Sequence, residues 1–362
     1  MSRRAESCGL TVDVESRSRV WMNVVNRAWG EPPMRSDSPG ATHAADVVVH
    51  VEPSHAPFPL AGLSPLTRGA WGDGRRVVLT DACGSGLDLV VEPAGEVLTV
   101  TARPRPGLSH RALRLAAPGR TELLWRAALL QYPALWWSGV RGAVPLHVSA
   151  ARVGDHGVVL AGPGGVGKST LLGSLAPADG APVSDNLCTF DGERLHALPE
   201  PRRVDAGTSR HLRPTMPHGR VERPWEGREH AIRPSLLLVL RRGTAERPTV
   251  RPVQPEVAAR ALVTGTYAAG ELRRYWAFAA TLALGTGLGP AHPAIVGDAE
   301  RLARSLPCLE VVLPARPGTS IAEIVDLAER TDAAHPGRYP EADTDVHGPR
   351  AAVSSQMTGV QA

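Results

Sequence analysis

Short apolar runs separated by turn residues dominate the first hundred residues of the chain. Alternating apolar and polar positions predict strands there, and Gly72-Asp73-Gly74 supplies a turn of the kind that hairpins require. The stretch Arg19–Trp29 instead repeats its apolar positions at helical spacing. We therefore expect a small α+β domain over residues 1–105. Its predicted strands cover residues 10–14, 46–51, 75–80, 87–91 and 96–102.

The next part of the chain has helical spacing and is followed by an aromatic cluster. Apolar positions over residues 122–131 predict a helix within a connector that spans residues 106–143. Tyr132, Trp136 and Trp137 come directly after it. We expect these aromatic side chains to pack in the core or between domains.

Strands and helices mix from residue 144 onwards, which predicts an α/β domain over residues 144–330. Strands at 146–151 and 158–160 are joined by a turn too short for a crossover helix, so they should be antiparallel. The polar, aperiodic residues 331–362 predict a disordered tail. The other predicted elements are a hairpin at 187–190 and 194–198, strands at 236–240 and 309–313, and helices at 255–265, 271–283, 297–305 and 320–330.

Length and composition exclude several classes of protein. The 362 residues suggest two domains, and no apolar run approaches the ~20 residues of a membrane span. The amino terminus has no apolar signal core and the four cysteines form no paired motif, so we expect a cytoplasmic protein with free thiols. The net charge of +4 arises from 40 basic and 36 acidic residues without a block of like charge, which argues against a dedicated nucleic-acid binder.

One basic residue differs from all the others. Of the 40 basic residues, 39 are Arg and a single one, Lys168, is Lys. An ammonium group is compact, whereas a guanidinium is a wide planar fork, so a tight anion cradle accepts only Lys. Composition alone therefore directs attention to Lys168.

Lys168 belongs to a complete GxxxxGK[ST] motif, with an apolar strand before it and helix-like residues after it. Glycines in such a loop let consecutive backbone N–H groups turn toward a phosphate, and the following helix adds its positive end. Lys168 would reach the β- and γ-phosphates of ATP, and the Ser169 hydroxyl would ligate Mg²⁺. The predicted nucleotide-binding residues are Gly162, Pro163, Gly164, Gly165, Val166, Gly167, Lys168, Ser169 and Thr170.

The acid that most P-loop ATPases carry at a strand end is missing from the obvious strands, at 236–240 and 309–313. Asp185 is a candidate instead, because one helix and a returning strand would bring it beside the γ-phosphate. A carboxylate there could accept the proton of an attacking hydroxyl. Taken alone, Asp185 could equally be a turn or cap residue, and His147, on the strand at 146–151, could be a packed histidine.

Together these residues resemble the HPr kinase/phosphorylase family, which shares its nucleotide fold with phosphoenolpyruvate carboxykinase. The resemblance rests on Pro145-Leu146-His147, on the glycine-rich motif after the next hairpin, and on Val183-Ser184-Asp185-Asn186, and it covers residues 144–198. It implies an α/β kinase domain of the HPr kinase/PEP carboxykinase-like P-loop type that uses ATP and Mg²⁺. By the same resemblance, Asp185 is the general base and His147 supports the acid and phosphate region.

Departures from the family pattern narrow the expected reaction. Asn186 stands where the family has a second acid, which weakens any metal role there, and Gly164 replaces the loop serine. Glu200-Pro201-Arg202-Arg203 is at best a distant counterpart of the family's Glu-Val-Arg-Gly-type segment. We therefore expect a divergent kinase that transfers the γ-phosphate to a Ser or Thr hydroxyl of a protein or peptide, rather than one that recognises HPr or runs the reverse reaction.

An alternative reading is a nucleotide-binding regulatory or assembly ATPase without a phosphoryl acceptor. The Arg-rich loop over residues 201–233 could close over the site and supply an arginine to the transferred phosphoryl group, or it could be a solvated loop. No nucleic-acid or membrane partner is expected. The sequence leaves open the acceptor, the choice between ATP and GTP, and a homo-oligomeric state.

Overall fold

The computed structural model describes residues 1–30, 44–205, 220–315 and 318–333, and it shows a mixed α/β fold with several sheets. The first eight strands are β1 (Ser2–Ser7), β2 (Leu10–Ser16), β3 (Val47–Val51), β4 (Ser64–Thr67), β5 (Ala70–Gly72), β6 (Val77–Leu79), β7 (Leu87–Ala94) and β8 (Val97–Pro104). They form one sheet in the order β1-β2-β3-β8-β7-β6-β5-β4. Strands β2, β3 and β8 are parallel neighbours, and the other neighbours are antiparallel.

Helices cover one face of this first sheet. The α-helices of the described chain are α1 (Arg19–Trp29), α2 (Leu108–Ala116), α3 (Pro118–Arg126), α4 (Tyr132–Val140), α5 (Lys168–Leu172), α6 (Pro255–Ala268), α7 (Arg273–Thr286), α8 (Ile295–Arg304) and α9 (Ile321–Ala333). Alternate strand residues share one core with apolar side chains of α1, α4 and α7. Helix α7 therefore packs on the first sheet although it lies within the range 144–330, and the division of the chain at residues 105 and 143 stays a prediction.

The second half of the chain adds a six-stranded and a four-stranded sheet. Its strands are β9 (Val144–Leu146), β10 (Ser149–Val153), β11 (His156–Ala161), β12 (Gly180–Ser184), β13 (Cys188–Phe190), β14 (Leu195–Ala197), β15 (Arg202–Asp205), β16 (Arg220–Arg223), β17 (Ala231–Ile232), β18 (Leu236–Arg242), β19 (Thr249–Pro252) and β20 (Cys308–Leu313). The six-stranded order is β12-β10-β11-β18-β20-β19, and the four-stranded order is β17-β14-β13-β9. Among the described residues, strands β15 and β16 pair with each other and with no further strand.

Both faces of the six-stranded sheet are covered. Helices α5 and α9 pack on one face, and α6 and α8 pack on the other, where the four-stranded sheet also contributes. The central strands β11, β18 and β20 are parallel to one another. Burial on both faces explains why β11 and β18 are almost continuously apolar in the sequence.

Several predicted elements are confirmed. The helix Arg19–Trp29 has the predicted bounds, β10 and β11 are antiparallel, and β13 and β14 form the predicted hairpin. Strand β12 is the short returning strand that was expected before Asp185. No helix in the described ranges combines the length and apolar character that a membrane crossing requires.

The prediction of one strand over 146–151 is wrong, and with it the placement of His147 on a strand. The chain leaves the four-stranded sheet at Leu146 and enters the six-stranded sheet at Ser149. Between them the backbone N–H of His147 donates to Thr266 Oγ1 at 3.0 Å instead of to a neighbouring strand. His147 thus lies at the junction of two sheets.

Two further boundaries differ from the predictions. The helix expected over 122–131 is part of a longer helical segment that runs from α3 through a π-helical turn (Ala127–Gln131) into α4, so the aromatic cluster is itself helical. Because α4 is buried on every side, its apolar residues are not restricted to one face, and the sequence lacks the helical spacing that would have predicted this helix. Helix α9 continues to Ala333, past the predicted start of the tail; residues 334–362 lie outside the described residues.

Candidate functional site

The glycine-rich loop, residues 162–169, connects β11 to α5. Gly162 has φ +144° and Gly167 has φ +117°, values that favour glycine. A Cβ at Gly162 would lie 3.0 Å from the carbonyl oxygen of Leu240, and one at Gly167 would lie 3.1 Å from Nη2 of Arg242. The strand, loop and helix that the motif requires therefore occur in that order, and the glycines permit the close turns.

The loop forms one wall of a cavity of about 320 Å³, the loop cavity. Its other walls are built from distant parts of the chain: His147, the pair Asp185-Asn186 after β12, arginines of the β15–β16 hairpin, and Gly270-Glu271 before α7. The cavity thus collects polar side chains at the carboxyl end of β11 and β18, where ligands bind in open α/β sheets. The predicted site residues Lys168, Ser169 and Thr170 line it, whereas Val166 belongs to the core below the loop.

Lys168 and Asp185 line this cavity together. Lys168 is 6% exposed and Asp185 is 7% exposed. The Nζ of Lys168 donates hydrogen bonds to the carbonyl oxygens of Gly162 at 2.8 Å and Pro163 at 3.3 Å. Burial lowers the pKa of Lys168, while the charges of Asp185 and Glu271 act in the opposite direction. The only lysine of the chain is therefore held under the loop with acidic side chains nearby.

The Asp185 carboxyl group has properties suited to proton transfer. Burial raises its pKa above the usual value, although a hydrogen bond from Ser169 and the charges of Arg203, Arg220 and Lys168 oppose the rise. Its Oδ1 is buried and has no hydrogen-bond partner among the described residues. A raised pKa brings a carboxyl group closer to the range in which a general base operates.

His147 and Asn186 form a second polar pair in the cavity. The Nε2 of His147 donates to Oδ1 of Asn186 at 2.9 Å. Burial lowers the pKa of His147, and the charge of Lys168 lowers it further, which favours the neutral imidazole. His147 is a neighbour of the Lys168–Asp185 pair, consistent with a supporting position.

The residues present fit a Mg²⁺ ion that arrives with a nucleotide. Magnesium in phosphate sites takes one or two protein oxygens and completes its shell with water and phosphate oxygens. The Ser169 hydroxyl lies on the cavity and is an oxygen donor of this kind. Asn186 fits less well, because its Oδ1 already accepts from His147. No group of three or more His, Cys, Asp or Glu side chains in the described ranges could hold a metal without other ligands.

Glu271 was not among the predicted site residues, and the structure brings it into the cavity. Glu271 precedes α7, and its neighbour Leu272 is fully buried in the core of the first sheet. Burial pushes the pKa of Glu271 up, but the charge of Arg203 and its hydrogen bond outweigh burial and hold the pKa below its usual value. No motif or spacing marks this residue, because only the packing of α7 determines where Glu271 lies.

Arg203 connects Glu271 to a buried carboxyl group, Glu200. Its Nη1 lies 3.2 Å from Oε1 of Glu271, and its Nη2 lies 3.4 Å from Oε2 of Glu200. Burial raises the pKa of Glu200, which also accepts a hydrogen bond from Gln131 Nε2 at 2.7 Å. The sequence analysis placed both residues in a distant counterpart of a family segment, and it also placed Arg203 in the Arg-rich loop.

The described part of the Arg-rich loop reaches the cavity. Arg203 on β15 and Arg220 on β16 line the cavity, and Arg242 at the end of β18 also lines it. Arg202 of the same hairpin donates to the carbonyl oxygen of Gly173 at 2.8 Å, just past α5. Arg210 and Arg213 of the predicted loop lie outside the described residues. The cavity therefore presents three guanidinium groups besides the ammonium of Lys168.

No protein-family model matches the chain, and no curated protein sequence matches it significantly.

Proposed function

We propose that the protein is an ATP-dependent kinase of the HPr kinase/PEP carboxykinase-like P-loop type, which transfers the γ-phosphate to a Ser or Thr hydroxyl of a protein or peptide. The observation that carries this proposal is the buried Asp185 carboxyl group on the same cavity as Lys168 and the glycine-rich loop. A phosphate cradle alone serves many reactions. A carboxyl group with a raised pKa and an unpartnered oxygen beside that cradle favours deprotonation of a hydroxyl acceptor.

The proposed roles follow from charge and position. The backbone N–H groups of the loop and Lys168 hold the phosphates of ATP. Asp185 takes the proton of the acceptor hydroxyl, whose oxygen forms a bond to the γ-phosphorus while the bond to the leaving oxygen of ADP breaks. Arg203, Arg220 or Arg242 can stabilise the charge on the transferred group. Mg²⁺, held through the Ser169 hydroxyl, would supply further charge neutralisation on the phosphates.

Two further spaces adjoin the loop cavity on the side of the glycine-rich loop. One of about 30 Å³ shares Gly167, Thr170 and Arg242 with it, and one of about 720 Å³ shares Gly164 and Gly165. Since the phosphates of a nucleotide would occupy the loop, its nucleoside would extend into the larger of these spaces, because a space of about 30 Å³ is too small for it. The acceptor is then left to approach from the opposite side, where Arg203 and Glu271 lie.

The experiment that tests this proposal is phosphoryl transfer from γ-labelled ATP to Ser- and Thr-containing peptides. We expect labelling by the unaltered protein, loss of labelling in Asp185→Asn, and unchanged labelling in Asp179→Asn, an exposed acid shortly before β12. The kinase proposal fails if Asp185→Asn transfers phosphate as well as the unaltered protein does. Release of labelled phosphate into water, with no acceptor labelled, would instead favour the alternative regulatory ATPase.

A further inference from the structure

A second cavity, of about 360 Å³, adjoins the loop cavity. The two share Arg203, Arg220, Gly270 and Glu271. The second cavity extends from these residues towards α3 and the π-helical turn and opens to solvent. Its volume is at the lower end of the range for ligand pockets, about 300–1,000 Å³.

The floor of the second cavity is apolar. Leu123 and Leu124 of α3, Ala127 and the ring of Tyr132 line it. The Tyr132 hydroxyl is already engaged, since it donates to the carbonyl oxygen of Glu271 at 2.7 Å. What the floor offers a ligand is therefore hydrophobic surface, which favours an apolar side chain over a polar one.

The carboxyl groups inside the second cavity already form ion pairs. Glu200 and Glu271 both pair with Arg203, and Glu200 also accepts from Gln131. Because both acids already have a partner within the protein, the cavity does not require a cationic ligand. Their ion pairs fix Arg203 at the boundary between the two cavities.

The rim of the second cavity carries positive charge that the chain does not neutralise. Arg120 and Arg274 line it, and both are exposed. Within the described ranges neither of them makes an ion pair or a side-chain hydrogen bond. Two uncompensated guanidinium groups above an apolar floor are complementary to a ligand with an apolar part and an anionic part.

We propose that the second cavity binds the acceptor peptide next to its Ser or Thr, with an apolar side chain on the floor and an acidic side chain at Arg120 and Arg274. This inference rests on the proposed kinase function. The shared wall places a bound apolar side chain beside Arg203, so the neighbouring hydroxyl can enter the loop cavity towards Asp185. The solvent opening lets the peptide chain continue outside the cavity.

The test uses γ-labelled ATP and a set of short peptides that differ at two positions after a single Ser. One peptide has Leu and then Glu; the others replace Leu with Gly, or Glu with Gln or Lys. For the unaltered protein we expect the lowest KM with Leu and Glu. We expect KM to rise roughly five-fold when Glu becomes Lys, the size of effect that exposed charge pairs produce.

Charge reversal at the rim supplies the decisive comparison. Arg274→Glu or Arg120→Glu should shift the preference from the Glu peptide to the Lys peptide. The matched changes Arg273→Glu and Arg111→Glu, at exposed positions of α7 and α2 that line neither cavity, should leave the preference unaltered. Leu123→Trp should fill the floor and raise KM for the Leu peptide while nucleotide affinity is retained.

The outcomes separate this inference from the kinase proposal. If all the peptides are labelled equally, or if the preference does not respond to Arg274→Glu, the acceptor site is elsewhere and the kinase proposal stands. If free serine or another small hydroxyl compound is labelled and the peptides are not, a peptide site is excluded but the transfer reaction is supported. If ATP binds and no hydroxyl of any kind is labelled, both proposals fail.

Discussion

The Nη2 atom of Arg126 lies 2.7 and 2.6 Å from the two carboxylate oxygens of Glu222. The Arg126 side chain is 2% exposed and that of Glu222 is 14% exposed. This pair connects β16 to the end of α3, and β16 in turn pairs with β15. Arg203 and Arg220 lie on these two strands, so the ion pair contributes to holding them at the loop cavity.

Arg126→Ala should therefore destabilise the protein and weaken transfer together. It leaves the carboxylate of Glu222 largely buried without its cation, a change that costs about 3 kcal/mol. Thermal unfolding measures the loss of stability, and hydrogen exchange at residues 220–223 measures the loosened hairpin. The exposed pair of Arg27 and Glu122 is the control, because Arg27→Ala should cost no more than about 1 kcal/mol. Equal effects of the two changes would show that the Arg126 pair does not hold the hairpin.

Glycine positions in the loop should differ sharply in their tolerance of alanine. At Gly167 the positive φ and the nearby Arg242 strain any side chain, whereas a Cβ at Gly164 meets nothing within 4 Å. We expect Gly167→Ala to lower nucleotide affinity by at least about tenfold, which corresponds to ~1.4 kcal/mol, and Gly164→Ala to be nearly neutral. Titration with a fluorescent nucleotide compares them. Comparable affinities for the two variants would mean that the loop does not hold the phosphates.

Lys168 should not be replaceable by another cation. Its Nζ lies within hydrogen-bond distance of two loop carbonyl oxygens in a buried space, where a planar guanidinium does not fit. Both Lys168→Ala and Lys168→Arg should therefore abolish measurable nucleotide binding in a calorimetric titration. Arg304→Ala, on an exposed part of α8, removes the same charge far from the cavities and should bind normally. Tight binding by Lys168→Arg would show that only the positive charge matters.

Asp185→Asn should separate activity from stability. The folded protein holds the carboxyl group with a raised pKa, so the ionised form is less favourable there than in the unfolded chain. The contribution of Asp185 to the free energy of unfolding therefore falls as pH rises through the folded pKa. The amide of Asn does not ionise, so the variant does not lose this stability. We expect a melting temperature at neutral pH no lower than that of the unaltered protein, together with a loss of transfer of about 10²–10⁴-fold. A lower melting temperature would indicate that Asp185 supports the fold instead.

The pH profile of transfer should reflect the same carboxyl group. Only ionised Asp185 accepts a proton, so activity should rise with pH through a pKa above the ordinary aspartate range. The charge of Arg203 lowers that pKa; Arg203→Gln should therefore move the acidic limb to higher pH. Initial rates at saturating ATP over a range of pH values measure the limb. An acidic limb at the ordinary aspartate pKa, unaffected by Arg203→Gln, would contradict the assignment.

The parts of the site that could be predicted are those whose chemistry is local in the sequence. The glycine-rich loop is one continuous motif, and Asp185 follows it after a single returning strand, so their placement on one cavity could be predicted. Glu271 could not be found this way, because its position depends on how α7 packs against a sheet formed much earlier in the chain. The break at His147 was missed for a related reason: the apolar pattern continues through it, and only the bond to Thr266 reveals the change of sheet.

The placement of α7 has a consequence for any attempt to isolate the nucleotide-binding part of the molecule. In the hydrophobic core, Leu272, Tyr275 and Leu282 pack against side chains of the first sheet and of α4. A fragment that begins at residue 144 would lack the first sheet and α4, so these apolar side chains would be exposed to solvent. The adjoining Glu271 would then lose the packing that places it at the loop cavity. The amino-terminal strands are in this sense a scaffold for the loop cavity, and cutting them away would remove part of the candidate site itself.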